Sequence, residues 1–336
     1  MTGLSFAVRR HGAYANAAVP RRADPASLQS LAGSTMGTSW SLRFDNPALL
    51  PLEAVRASAL GAFQSVIAQM STWEPDSQIS RYNRAAPGSI HRLKPEFAQV
   101  LGCALHWAQA SEGAIDPTVG PLIGLWGFGE AAATPVGRPS PDALRAAHLH
   151  VGWQRLAFDA QASTLAQPGG CMLDLSGIAK GFAVDHAAAA LRDLGLRNFL
   201  LEVGGELRAC GRRPGGLPWQ VRIDAGPGLE LQIALCDMAI ATSGDRWHAH
   251  TDAAGQRWSH TIDPRSGQPA TPALAAVSVL HHDCMQADAL ATLLAVLGPD
   301  EGLNFAERHA LAALFVVRTG ERPHVQMSRA WPHDGA

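Results

Sequence analysis

Two adjacent stretches decide the fold class: Gly177-Ile-Ala-Lys-Gly-Phe-Ala-Val-Asp-His-Ala-Ala-Ala-Ala-Leu-Arg-Asp-Leu194, followed by Phe199-Leu-Leu-Glu-Val203. The first reads as a helix and the second as a short strand. Further strand-like runs follow at Trp219 to Ile223, Leu229 to Leu235, Trp258 to Ile262 and Ala275 to Leu280. A helix pair, Ala287 to Leu297 and Glu301 to His309, then precedes a closing strand at Ala313 to Val317. Strands in runs with helices interspersed irregularly indicate an α+β fold, mixed β-sheets with helices packed on them, rather than a regular βαβ series. No internal repeat recurs at a fixed period.

Upstream, Thr38 to Phe44 reads as a strand and Leu52 to Met70 as an amphipathic helix, with Val55, Leu60, Phe63, Val66 and Ile67 at the spacing of one face. Pro95 suits the first turn of a second helix running to Ala110, and Gly113 suits its stop. Residues 126 to 142, rich in Gly, Pro and Ala, read as an irregular excursion. Residues 1–33 lack periodicity and are expected to form a loose leader, with the folded part spanning 34–325 in one or two lobes and a tail at 326–336.

Composition excludes several classes of function. At 336 residues, 47% apolar and 17% charged, the chain has ample material for a core. Lys+Arg 27 against Asp+Glu 29 gives a net charge of -2, no basic field for nucleic acid. Apolar runs such as Leu293 to Leu297 fall far short of the roughly 20 residues of a membrane helix, and no signal-peptide core precedes the folded part. The chain as written is therefore expected in the cytoplasm, or exported if its true start differs. Cys103, Cys171, Cys210, Cys236 and Cys284 show no paired spacing and are expected to be reduced and mostly buried.

Five constellations carry polar chemistry. Asp288 and Thr292, four apart in a helical stretch, put a carboxylate and a hydroxyl on one face, a partial site for a hard cation such as Mg²⁺. The plain alternative is a capping Asp288 and a Thr292 bonded to its own helix. Leu173-Asp-Leu-Ser-Gly-Ile-Ala-Lys-Gly181 runs from an apolar strand into a helix, whose N–H groups suit a phosphate beside Lys180; a simple capped helix reads equally well. In Ser259-His-Thr-Ile-Asp-Pro-Arg-Ser-Gly267, His260 is a natural proton acceptor, with Asp263 as a second candidate, unless both only build the turn. Residues 70–83 and 113–129 bring Trp73 and Trp126, either of which stacks on a ring or packs. Asp116, before Pro117, reads as a turn residue.

Taken together and in this order, these segments resemble the ApbE family of flavin transferases. The resemblance rests on Met-Ser-Thr-Trp-Glu-Pro-Asp-Ser-Gln-Ile-Ser-Arg-Tyr-Asn at 70–83, Asp-Pro-Thr-Val-Gly-Pro-Leu through Leu-Trp-Gly-Phe-Gly at 116–129, and Asp-Leu-Ser-Gly-Ile-Ala-Lys-Gly at 174–181. Ala-Thr-Ser-Gly-Asp at 241–245, Ser-His-Thr-Ile-Asp-Pro-Arg-Ser-Gly at 259–267 and Ala-Asp-Ala-Leu-Ala-Thr at 287–292 complete it. It implies an ApbE-like architecture and a Mg²⁺-dependent enzyme that moves FMN from FAD to a threonine or serine hydroxyl of an acceptor flavoprotein, with AMP as leaving group. Carried over residue by residue, Met36, Trp73, Ala114, Ile115, Asp116, Asp174, Lys180 and Ile262 match positions that hold FAD. Gly177, by its carbonyl, Asp288 and Thr292 match the metal site, and His260 matches the histidine that assists the acceptor hydroxyl. Ala291 stands where relatives often carry an acidic metal ligand, Trp73 where many have Tyr, and Glu202 where Asn is common. Two other readings use the same residues in part: a Mg²⁺-dependent FAD pyrophosphatase yielding FMN and AMP, and a non-catalytic flavin-binding protein.

Overall fold

The computed structural model describes residues 6–9, 28–129, 138–224, 230–244, 249–251, 257–270, 273–319 and 322–332. At its centre lies an eight-stranded sheet formed by β1 (Gln29–Thr35), β2 (Thr38–Phe44), β3 (Phe199–Val203), β4 (Glu206–Cys210), β5 (Ala239–Gly244), β6 (Leu274–His281), β7 (Ala312–Thr319) and β8 (Arg322–Met327). The strands lie side by side in chain order, and each is antiparallel to the next. Four long helices are inserted along this meander: α1 (Leu52–Met70), α2 (Pro95–Ala110), α3 (Ala179–Asp193) and α4 (Cys284–Arg308).

Successive side chains of a strand face opposite ways, and here both faces of the sheet are buried. Phe199, Leu201 and Val203 of β3, with Phe315 and Val317 of β7, join a core that includes Phe63 of α1, Leu101 of α2, Leu191 of α3 and Leu290 of α4. Leu200, Leu280, Leu314 and Val316 face a second core. That core is covered by a three-stranded antiparallel sheet, Phe6–Arg9, Glu230–Leu235 and Trp219–Asp224, contributing Trp219, Ile223, Leu231 and Ile233. The α+β expectation holds, and every strand pairing among the described residues is antiparallel.

Several expectations need correction. The ordered chain starts earlier than Ser34, since β1 runs from Gln29 in full register with β2. It also continues past 325: Ser328 bonds to Ala313 through both N–H and hydroxyl, and Trp331 is buried in the second core. Leu173 to Leu175 forms no strand; it passes into α3 as a segment whose Leu173 N–H donates to Asn83 Oδ1 at 2.7 Å and whose Leu173 carbonyl accepts from Asn83 Nδ2 at 2.9 Å. The run expected at Trp258 to Ile262 is two short strands, Arg257–Ser259 and Ile262–Asp263, because Ser259 Oγ accepts from Thr261 N and turns the chain. The expected helix pair is present: α4 is two helices joined across a kink at Gly298 (φ 81, ψ -176) before Pro299. Of the excursion at 126–142, residues 130–137 lie outside the described residues, as does Asp245.

The place of Trp331 is open to test. Trp331→Ala should cost about 3–5 kcal/mol, the range for emptying a buried tryptophan site, read as a lower urea midpoint. An unchanged midpoint means that the residue does not cap the second core.

Candidate functional site

The site is built where α3 meets α4. Neither helix is capped by its own flanking side chain: Ile178 precedes α3, and Asp283 precedes α4 without a side-chain bond. Each is capped by the other instead. Asp288, in the second turn of α4, accepts through Oδ2 from Gly181 N in the first turn of α3 at 2.8 Å. Asp185 of α3 accepts from Cys284 N at 3.0 Å and Met285 N at 2.9 Å in the first turn of α4, and pairs with Arg208 of β4. Such carboxylates satisfy orphan N–H groups and meet the positive end of each helix dipole. Gly181 permits the approach, since a Cβ there would lie 2.3 Å from the Cys284 carbonyl oxygen and 2.6 Å from Asp288 Cβ.

One turn beyond Asp288, Thr292 Oγ1 stands 3.5 Å from the Gly177 carbonyl oxygen and 3.0 Å from Ser243 Oγ of β5. Thr292 therefore reaches across to other elements rather than back to its own helix, and Asp288 caps α3 rather than α4. Gly177 is closely packed: a Cβ there would sit 3.1 Å from both Thr292 Oγ1 and Cγ2, so Thr292 would have to give way. Asp288 and the carbonyl and hydroxyl oxygens of Gly177 and Thr292 form an all-oxygen donor set suited to a hard cation. Ala291 is fully buried in the first core and brings no oxygen. Among the described residues, no three His, Cys, Asp or Glu side chains gather into a metal-binding group, so this set depends on one carboxylate.

Lys180 extends from the same helix start. Its ammonium lies 2.5 Å from Glu206 Oε1, with the lysine side chain 32% exposed and the glutamate 3%. Burial opposes the Lys180 charge, but Asp288 and Glu206 outweigh it and hold the group above the ordinary lysine value. Glu206 is pushed up first by burial and then by Asp288, against the pull of Lys180. Asp288 is pushed up by burial, against Lys180 and the Gly181 N–H. Sequence reading misses Glu206 and Asp185; Glu206 lies four residues after Glu202, which it does mark, and this is the available signal.

The other candidate residues divide clearly. Trp73 is 65% exposed, its ring free to be covered. Trp126 instead packs: it is buried against Trp258, and its Nε1 donates to the Gly267 carbonyl at 2.7 Å. Ile262 is buried in the same small cluster, and Ala114 is fully buried with Ile115 beside it half-buried. Met36 is half-buried with φ 50 in the β1–β2 turn. Asp116 Oδ1 accepts from Thr118 N and Oγ1, and Oδ2 from Trp153 N, so the carboxylate fixes its loop while burial pushes it up. Asp174 Oδ1 likewise accepts from Ser176 N, directly before α3. Asp263 is engaged at both oxygens by Arg265, whereas His260 is half-buried with its ring edge-on to Phe128 at 6.5 Å. All five cysteines are free; burial pushes Cys103 up to about 12 and Cys171 and Cys210 up to about 11, which keeps them protonated at neutral pH.

The six sequence segments form one hydrogen-bonded assembly. Segment 70–83 joins 174–181 by way of Asn83 and Leu173, and 116–129 joins it where Asp174 N donates to the Pro117 carbonyl at 2.8 Å. Segment 174–181 meets 287–292 at Gly181 and Gly177, 241–245 meets it at Ser243, and 259–267 meets 116–129 at Gly267.

Known proteins are similar to this chain in sequence and fold. The ApbE family model matches residues 36–315. An FAD:protein FMN transferase of Haemophilus influenzae is 36% identical over 301 residues, 86% of either chain. That of Escherichia coli is 30% identical over 319 residues, 92% of this chain and 90% of its own. The apo form of the Pseudomonas stutzeri flavinyl transferase ApbE superposes with a TM-score of 0.84 at 34% identity, covering 90% of this chain and 95% of that one. The flavin transferase ApbE of Vibrio cholerae gives 0.84 at 34% identity, covering 91% and 99%.

Gly181→Ala tests the close approach of the two helices. Forcing a methyl between them should cost about 1–3 kcal/mol and speed amide exchange at position 181. Gly102→Ala in α2, where the nearest atom to a new Cβ is 3.9 Å away, should be neutral or gain up to about 1 kcal/mol. Equal effects at the two sites would contradict the packing described.

Proposed function

We propose that this chain, which belongs to the ApbE family, transfers FMN from FAD to a threonine or serine hydroxyl of an acceptor flavoprotein and releases AMP. The observation that carries the reading is the meeting of Asp288, Thr292 and the Gly177 carbonyl at the α3 start, beside the Lys180 ammonium. Asp288, Thr292 and Gly177 are the residues to hold Mg²⁺, which when bound supplies charge neutralisation at the diphosphate oxygens.

The chain's own groups account for the remaining requirements. Lys180 offers a cation to the diphosphate, and its exposed third leaves it within reach of a ligand. Trp73 offers an exposed aromatic face to a ring of the nucleotide. Asp116 and Asp174 spend their carboxylates on their own loops, so their part is to hold the walls in place. In the transfer, the acceptor hydroxyl oxygen bonds to the FMN phosphorus, the bond from that phosphorus to the bridging oxygen breaks, and AMP leaves. His260 takes the hydroxyl proton; Asp263, held by Arg265, is the weaker candidate. Ser259 and Thr261 line one cleft together with Ser243, which bonds to Thr292, while the His260 ring between them lies edge-on to Phe128. The Thr292 arrangement has no use in a mere flavin binder.

Incubation with FAD, Mg²⁺ and a flavin-acceptor domain should yield a fluorescent protein band that survives denaturation, and replacing the acceptor threonine by alanine should abolish it. Equally fast FAD cleavage without acceptor would favour the pyrophosphatase. Asp288→Asn keeps an acceptor for Gly181 N–H, so the melting temperature should change little while Mg²⁺-supported transfer is lost; normal transfer by this variant would contradict the metal assignment. Calorimetry should give tighter binding of FAD than of FMN, because the adenylate half is the leaving group; equal affinities would support a general flavin binder.

A further inference from the structure

Glu206 is the feature of the site that the reaction leaves unexplained. Its side chain is 97% removed from solvent, and Oε1 holds Lys180 at 2.5 Å. Oε2 is buried with no hydrogen-bond partner. An unpartnered buried carboxylate oxygen is unfavourable, so a purely structural role would be better served by glutamine or an apolar residue. A second acidic side chain stands close by: Asp288 accepts from the N–H of Gly181, the residue next to Lys180, and it pushes both Glu206 and Lys180 up. Two carboxylates thus compete for one ammonium, and in this structure Lys180 bonds to Glu206 while Asp288 accepts only from Gly181 N–H among the described residues.

We infer that Glu206 is a positioning residue that holds the Lys180 ammonium away from Asp288 and so keeps the Asp288 charge available to a divalent cation. The inference rests on the metal reading given above. Without Glu206, the Lys180 ammonium loses the ion pair it makes in this structure and is drawn to Asp288, which bonds the adjacent Gly181 N–H; an ammonium held there would repel a divalent cation and occupy one of its ligands. The hairpin supports this geometry. Gly204, at φ 62, is packed so closely that a Cβ would lie 2.8 Å from Thr38 Cγ2 and 3.5 Å from Glu206 Oε2, which fixes the glutamate at the start of β4. Lys180, by contrast, is a flexible side chain on the first turn of α3, next to the Gly181 N–H that Asp288 accepts.

The test is Mn²⁺ binding to the full chain without FAD, read as loss of the free-ion electron paramagnetic resonance signal. Glu206→Gln should raise the Mn²⁺ dissociation constant by about tenfold or more, the size expected of one nearby unit charge. Removing the ammonium as well, in Glu206→Gln with Lys180→Met, should restore it to within about threefold of the parent. Lys180→Met alone should bind Mn²⁺ at least as tightly as the parent, which keeps the test decisive if Glu206→Gln fails to fold. Parental affinity in Glu206→Gln, no recovery in the double variant, or weaker binding by Lys180→Met overturns the inference. A merely structural glutamate would lower the melting temperature and leave the dissociation constant unmoved. The underlying metal reading fails separately, and takes the inference with it, if Asp288→Asn binds Mn²⁺ as well as the parent.

Discussion

Everything in the site depends on two helices that cap one another. Asp288 of α4 closes the start of α3, and Asp185 of α3 closes the start of α4. Each carboxylate is buried or nearly so, which pushes it up, while the N–H groups it accepts from and a basic side chain, Lys180 or Arg208, pull the other way. The arrangement fixes the relative register of the helices more tightly than apolar packing does, because a shift along either axis unbonds buried donors and acceptors simultaneously. The glycines at 177 and 181 are what allow the backbones and side chains to come so close.

The eight-stranded meander is the platform for this pair. With helices on one face and a small sheet on the other, its strands are apolar on both sides, as in β7, where Ala313, Phe315 and Val317 face one core and Leu314 and Val316 the other. β4 delivers Glu206 and Arg208, both pointing to the helix pair, and β5 delivers Ser243. The polar groups of the site thus come from rigid elements, whereas Trp73 and the Asp116 and Asp174 loops come from connections, the latter two held by their own carboxylates.

Much of this was legible in the sequence. Thr38–Phe44, Leu52–Met70 and Pro95–Ala110 form the elements that their periodicity and end signals predict. β1 was hidden because it is an outer strand with Leu31 alone buried, so its composition reads as a polar tail. β4 and β5 are short and carry charged or hydroxyl residues among their apolar ones, which breaks the strand pattern. Asp288 and Thr292 were found by helical spacing, and Lys180 by its place at a helix start. Glu206 and Asp185 were missed because their meaning lies in partners 26 and 99 residues away, and separations of that kind leave no local trace. The two tryptophans looked alike in sequence; only burial separates Trp126, whose indole bonds to Gly267, from the exposed Trp73.

The central claim is that the α3–α4 junction is where a divalent cation and the FAD diphosphate meet. Crystals grown with FAD and Mn²⁺, measured for anomalous scattering, address it most directly. The account predicts a manganese peak in contact with the Asp288 carboxylate, Thr292 Oγ1 and the Gly177 carbonyl oxygen, with the diphosphate beside Lys180. A manganese peak elsewhere on the bound nucleotide, with those three oxygens unligated, would contradict it.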